Sequence, residues 1–235
     1  MIRHVSTTAS RYAGHVPTST LEKAFLAGTS AAQALADPRN ARAVGIVGET
    51  TGHAALRRMH ARMERHPIGR AVLQDRPLIS SSTLPLSHLE ALPAGSFGAA
   101  YGAFLRKHGF DADERSAVQF VDDPDLAYVM TRYRQVHDLW HVLCGLPPNW
   151  MGEVALKWLE AAQTGLPMCA LGALAGGVRL GARQRVTMAT RVLPWALRHG
   201  ASSGVDLMCV YYEREMERDL TQLRRELRLE PLSLS

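Results

Sequence analysis

Apolar residues recur along this chain at intervals of three and four, the period of an amphipathic helix, and no stretch sustains the alternation of a strand. Thr18-Ser19-Thr20 ahead of Leu21, Phe25, Leu26, Ala31, Ala32 and Leu35 predicts a capped helix with an apolar stripe, ending at Asp37-Pro38. Arg42 to Val47 predicts a second segment that runs into a turn at Gly48-Glu49-Thr50-Thr51-Gly52, which caps the next helix. From His53 to Glu64, Ala54, Ala55, Leu56 and Met59 share a face while arginines fill much of the rest, the pattern of a surface helix.

Residues 68 to 95 hold many prolines, glycines and serines, leaving room for short helices at Ile68 to Asp75 and Leu86 to Leu92. Tyr101, Phe104 and Leu105 give a helix over Phe97 to His108, with Gly109 as its C-cap. Asp123-Pro124 opens a longer helix through Leu126, Val129, Met130, Tyr133 and Val136. After Pro147-Pro148 the period resumes at Val154, Ala155, Trp158, Leu159 and Ala162 and stops at Gly165-Leu166-Pro167. Further helices are expected over Leu171 to Val178, Thr187 to His199 and Val205 to Leu227. The fold class that follows is all-α, a single-domain multi-helix bundle over residues 21–235.

The long helix carries the chemistry. His137 and His141 are four apart, about 40° around a helix axis, and Asp138 is about 60° from His141, so two imidazoles and a carboxylate can converge. Gly145-Leu146-Pro147-Pro148-Asn149 cannot continue a helix, and Asn149 can cap a new one with Glu153 in its first turns. If the two helices fold back as an antiparallel hairpin, Glu153 comes towards His141. The set His137, Asp138, His141 and Glu153 suits a divalent metal: tetrahedral Zn2+, or octahedral Fe2+ held by two histidines and a carboxylate. Asp138 has three roles open to it: ligand, acid or base on a metal-bound water, or support of a histidine. Cys144 reads as a small buried side chain beginning the turn. Trp140, Trp150 and Trp158 read as core that could also line an apolar cavity, and Arg132 and Arg134 as ion pairs that could also meet a substrate carboxylate.

Charge adds location. Among 235 residues, 27 basic against 22 acidic ones give +5, too modest an excess to indicate nucleic acid. No acid precedes Glu22, and residues 1–20 carry Arg3, Arg11 and many serines and threonines, which fits a presequence remnant or a flexible polar terminus. A second acid-free stretch, Ala161 to Val205, carries Arg179, Arg183, Arg185, Arg191 and Arg198 and suits anionic lipid or a phosphate-bearing ligand. Its uncharged part, Ala161 to Val178, is broken by glycines and Pro167 and reads as helix, turn and helix instead of a membrane span. Cys144, Cys169 and Cys209 lack a CxxC pattern and read as reduced thiols of a reducing compartment.

The motif also resembles a known family. His137-Asp138-x-x-His141 followed by Glu153 is similar to the metal-ligand signature of the ubiquinone biosynthesis family called coenzyme Q biosynthesis protein four. Gly14-His15-Val16-Pro17-Thr18-Ser19, Phe120-Val121-Asp122-Asp123, Gly152-Glu153-Val154-Ala155-Leu156-Lys157-Trp158, Gln163-Thr164-Gly165-Leu166-Pro167-Met168-Cys169 and Tyr211-Tyr212-Glu213-Arg214 resemble its blocks in order, over about Tyr12 to Leu232. The resemblance implies an all-α protein, peripheral on the matrix side of the mitochondrial inner membrane, within a multi-enzyme ubiquinone assembly. It implies a lyase that removes the C1 carboxylate of a 4-hydroxy-3-methoxy-5-polyprenylbenzoate, either simply or oxidatively with C1 hydroxylation. His137, Asp138, His141 and Glu153 would be the metal ligands, with Asp138 and Glu153 also catalytic. A non-catalytic prenyl-lipid-binding scaffold is the alternative of a different class, and a homodimer is compatible with either.

Overall fold

The computed structural model describes residues 10–37, 40–202 and 205–234. Residues 1–9 of the acid-free terminus, Arg3 among them, lie outside these, as does Pro38. Among the described residues every regular element is helical, and the single β pairing is an isolated bridge between Ser96 and Asp219.

In chain order the helices are α1 (Thr20–Ala36), α2 (Ala41–Thr51), α3 (His53–Arg65), α4 (Pro67–Asp75), α5 (Leu86–Ala91), α6 (Phe97–His108), α7 (Pro124–Cys144), α8 (Trp150–Thr164), α9 (Pro167–Val178), α10 (Ala182–Thr187), α11 (Leu193–Leu197) and α12 (Leu220–Glu226). A wider π turn at Met188–Val192 joins α10 and α11 into one winding, and a second at Arg198–Ser202 continues it past α11. Capping follows the expected chemistry at several ends. Ser19 and Glu22 form a capping box on α1, Ser96 caps α6, and Gly109, at φ 66°, closes α6 in the left-handed conformation that glycine adopts without strain.

Helix α7 is the axis of the bundle. Leu126, Val129, Met130, Tyr133, Val136, Leu139, Trp140 and Leu143 are all buried, so α7 is apolar around most of its circumference, as a helix enclosed by others must be. Its neighbours are α3, α6 and α8. Asp123 caps its start, accepting from the amides of Asp125 and Leu126, and Pro124 occupies the first turn. Gly145 ends it at φ 67°. The terminal carbonyls, which have no partner within the helix, are taken from elsewhere: Arg224 donates to Leu143 and Val142 oxygens at 2.8 Å each, and the Leu232 amide to Cys144 at 2.8 Å.

Two expectations change. α2 runs through Gly48 to Thr51 instead of turning there, because Gly48 is needed mid-helix for closeness: a Cβ would collide with Met168 and Met130 side chains. The expected helix from Val205 to Leu227 is instead two short 3-10 turns, Leu207–Cys209 and Tyr212–Arg214, followed by α12. Leu207, Met208, Cys209 and Val210 are consecutive and all buried, which no single helix face can achieve. Asp206 caps the first turn through the Met208 amide, and Glu213 is drawn to Arg132.

Candidate metal centre

The Pro147-Pro148 turn reverses the chain, and Asn149 restarts it by accepting from the Gly152 amide at 3.0 Å. Glu153 therefore sits in the first turn of α8. His141 meets Glu153, while His137 and Tyr133 meet Glu160, so α7 and α8 run antiparallel at this point. His141 Nε2 lies 3.1 Å from Glu153 Oε1 and His137 Nε2 3.5 Å from Glu153 Oε2. One ligand atom from each of the three residues falls within 4.8 Å of the others. With metal–ligand bonds of about 2.1 Å, ligand atoms stand ~3.4 Å apart in a tetrahedron and ~3.0 Å apart in an octahedron, and the two histidine–carboxylate distances are close to these values.

Both imidazoles are aimed by their other nitrogen. His137 Nδ1 is 2.6 Å from Glu160 Oε1, and His141 Nδ1 donates to the Leu146 carbonyl at 3.2 Å. Each ring thus presents Nε2 to Glu153, the arrangement in which an outer carboxylate or carbonyl fixes the tautomer of a ligating histidine. Glu160 has no exposure and takes further bonds from Lys157 Nζ at 2.5 Å and Tyr133 OH at 2.8 Å. Burial disfavours its charge, but the Lys157 and His137 charges outweigh burial and hold the carboxyl far below its usual range. Burial opposes the Glu153 charge too, and the two histidines likewise overcome it. At His137 burial and Lys157 work against protonation, and Glu160 and Glu153 prevail, raising its pKa. The cluster is electrostatically built to hold positive charge.

Asp138 is placed differently from the other three expected ligands. It is nearly buried, and its Oδ1 accepts from Arg115 Nη2 at 2.7 Å, so its carboxylate is engaged beside the three-residue group. The residues missed by sequence reasoning are those that support the group. Lys157 and Glu160 follow Glu153 by four and seven positions, a spacing that puts them on one face of α8 and could have flagged them. Arg115 comes from a loop and left no signal. Phe104 stacks on His141, with ring centroids 5.7 Å apart, and Phe110 packs edge-on against Phe104. The side chain of Glu153 is 38% exposed, so the cluster opens on that side.

The arginines considered for a substrate carboxylate are otherwise committed. Arg132 is fully buried and makes a bidentate pair with Glu213; Arg134 pairs with Glu49 at 3.1 Å and with Ser116. Trp140 is core, donating to Tyr212 OH at 2.9 Å. All three cysteines are free and buried, and burial pushes the Cys169 thiol up to about 12. No helix among the described residues is long and apolar enough to cross a membrane.

Comparison with known proteins extends these observations. The family model described as "Coenzyme Q (ubiquinone) biosynthesis protein Coq4" matches residues 12–233. The human protein named ubiquinone biosynthesis protein COQ4 homolog, mitochondrial, is 47% identical over 216 residues, 92% of this chain and 81% of the relative. Its Danio rerio counterpart is 48% identical over 225 residues, 95% and 83% of the two chains. A crystal structure of a ubiquinone biosynthesis protein from Nostoc punctiforme has a TM-score of 0.67 at 21% identity, covering 90% of this chain and 98% of that one, a likeness of fold.

Proposed function

This chain belongs to the Coq4 family of coenzyme Q (ubiquinone) biosynthesis proteins, and from that premise we propose that it removes the C1 carboxylate of a polyprenylated 4-hydroxybenzoate at a divalent metal held by His137, His141 and Glu153. The observation that carries the reading is the convergence of a buried imidazole, His141, and a partly buried one, His137, each aimed by its far nitrogen, on one carboxylate that remains 38% exposed. Structural metal sites are closed, whereas catalytic ones keep an open position. Zn2+ is the leading ion and Fe2+ the alternative.

When bound, the ion supplies a Lewis acid that polarises an oxygen of the substrate, such as the ring hydroxyl. The chain's own groups do the rest. Glu160 and the Leu146 carbonyl hold the imidazoles in the ligating tautomer. Phe104 and Phe110 offer an apolar wall beside His141 for an aromatic ring. Departure of CO2 breaks the bond from C1 and leaves its electron pair on the ring, which must then take a proton. We assign Asp138, next to Arg115, and Glu153 the relay of that proton, which comes from solvent water. An oxidative course would leave a hydroxyl on C1 and requires an external oxidant.

The relatives are named mitochondrial, and we assign the protein to the matrix side of the inner membrane, peripherally, beside the other ubiquinone biosynthesis enzymes. The test is release of CO2 from 4-hydroxy-3-methoxy-5-polyprenylbenzoate by purified, metal-analysed protein, with and without chelator. Activity requiring metal and abolished by His137→Ala is the expected result; full activity of that variant refutes the reading. A scaffold with a structural metal would instead unfold on chelation, which a thermal melt separates.

A further inference from the structure

A helix on a protein surface turns an apolar side inward and a polar side outward, whereas α1 is apolar on both. Its packed side, towards α2, is Leu26, Ala27, Ser30, Ala31 and Ala34, while Leu21, Phe25 and Leu35 lie on the opposite side, Leu21 at 81% and Phe25 at 70% exposure. At 100° per residue, Leu21, Phe25, Gly28, Ala32 and Leu35 form one stripe along the whole helix, with Glu22, Thr29 and Gln33 to one side of it. Helix α9 repeats the pattern. Met168, Cys169, Ala173 and Gly176 face the bundle, and Leu171, Leu174 and Val178 stand outward, Val178 at 75%.

The two stripes adjoin. Both helices pack on α2, and the Arg179 guanidinium, next to Val178, donates to the Leu35 carbonyl. Beyond that junction the chain presents Arg183 and Arg185, both exposed, within a stretch from 161 to 205 that has no Asp or Glu. The one acid within α1, Glu22, sits in its first turn and is held by the capping box with Ser19, and Asp37 lies past the other end as the C-cap.

We propose that the α1 and α9 stripes with their flanking arginines are the surface by which this protein lies on an anionic lipid bilayer. The proposal rests on the peripheral membrane location given above and identifies the face. Six large apolar side chains exposed on two adjoining helices exceed what a freely soluble surface tolerates, and cations beside an apolar stripe are the signature of a helix lying in a headgroup layer. A second copy of the chain is the less favoured occupant. A two-fold pair closed on this face would bring arginine clusters together with no acid in the segment to compensate them.

Sedimentation of the full-length protein with vesicles tests this, using phosphatidylcholine alone and phosphatidylcholine mixed with phosphatidylglycerol. Binding to the mixed vesicles is expected, reduced about tenfold or more in Leu21→Ser/Phe25→Ser and in Leu171→Ser/Leu174→Ser. Arg183→Gln/Arg185→Gln should weaken binding to the mixed vesicles alone and make it less dependent on salt. Because these positions are exposed, circular dichroism should match the wild type in every variant. Failure of the wild type to bind either vesicle overturns the membrane location itself. Wild-type binding in the stripe variants overturns only the face, and a dimer in light scattering that Phe25→Ser dissociates assigns the face to a second copy and overturns the proposal.

Discussion

Replacing Glu160 by Gln changes only one oxygen to an amide nitrogen, yet the structure makes it severe in two separable ways. Oε1 faces His137 Nδ1, and Oε2 faces Lys157 Nζ and Tyr133 OH. If the amide keeps its oxygen towards Lys157, its NH2 meets His137 Nδ1, which must then become an acceptor. The proton moves to Nε2, and the nitrogen facing Glu153 can no longer ligate. If the amide turns the other way, NH2 opposes two donors. Either way Lys157 loses its carboxylate in a setting where Glu160 has no exposure and the Lys157 side chain 19%. Breaking a fully buried ion pair costs about 3–5 kcal/mol, and partial access of Lys157 to water brings this to about 2–3. For a chain of this size each kcal/mol lowers Tm by about 2–4 °C, so a fall of about 4–12 °C is expected. Loss of the outer carboxylate should weaken metal binding about 10–100-fold. Urea unfolding gives the first quantity and competition with a chromophoric chelator the second. Adding Lys157→Met should recover much of the stability, by removing the stranded charge, and none of the metal affinity. Metal affinity within about threefold of wild type in a folded Glu160→Gln protein would refute the reasoning.

Zn2+ at about 100 times its Kd should stabilise the wild type by about 2.7 kcal/mol in thermal melts, and His141→Ala or Glu153→Ala should abolish that gain. Gly48→Ala forces a methyl into the Met168 and Met130 side chains and should cost about 1–3 kcal/mol, read by urea denaturation. His199 is buried, its Nδ1 donates to the Arg228 carbonyl, and burial lowers its pKa below the ordinary value. Below about pH 6.5 the unfolded chain takes a proton that the folded one refuses, so His199 contributes stability above that pH that is lost as pH falls towards its folded pKa. His199→Gln should flatten the fall in unfolding free energy between about pH 7 and 5, measured by urea titrations at each pH.

The long helix and the convergence of its two histidines were legible because their signals are local: Asp123-Pro124 to start, Gly145 to stop, and His137 and His141 at a fixed angle between. The all-α class was legible for the same reason. The direction of the α1 stripe was not, since periodicity reports that Leu21, Phe25 and Leu35 share a face without saying what covers it. Residues 205–218 misled because an apolar run resembles a helix until its partners are known, and here those partners are Gln163 and Arg132, distant in sequence. The placement of Asp138 against Arg115 depends on a loop whose course no pattern specifies.

The way α7 ends has a consequence for the order of events during synthesis. Its final carbonyls wait for Arg224, 81 residues downstream of Leu143, and then for Leu232. At about 5–20 residues per second, the ribosome needs roughly 4–16 s to supply that arginine. Gly145 and Leu146 close the turn bearing His141 locally, through the Val142 and His141 carbonyls, while the Leu143 and Cys144 carbonyls wait for these distant donors. A nascent chain stalled short of Arg224 would therefore present a helix end with carbonyls still open to solvent or to chaperones.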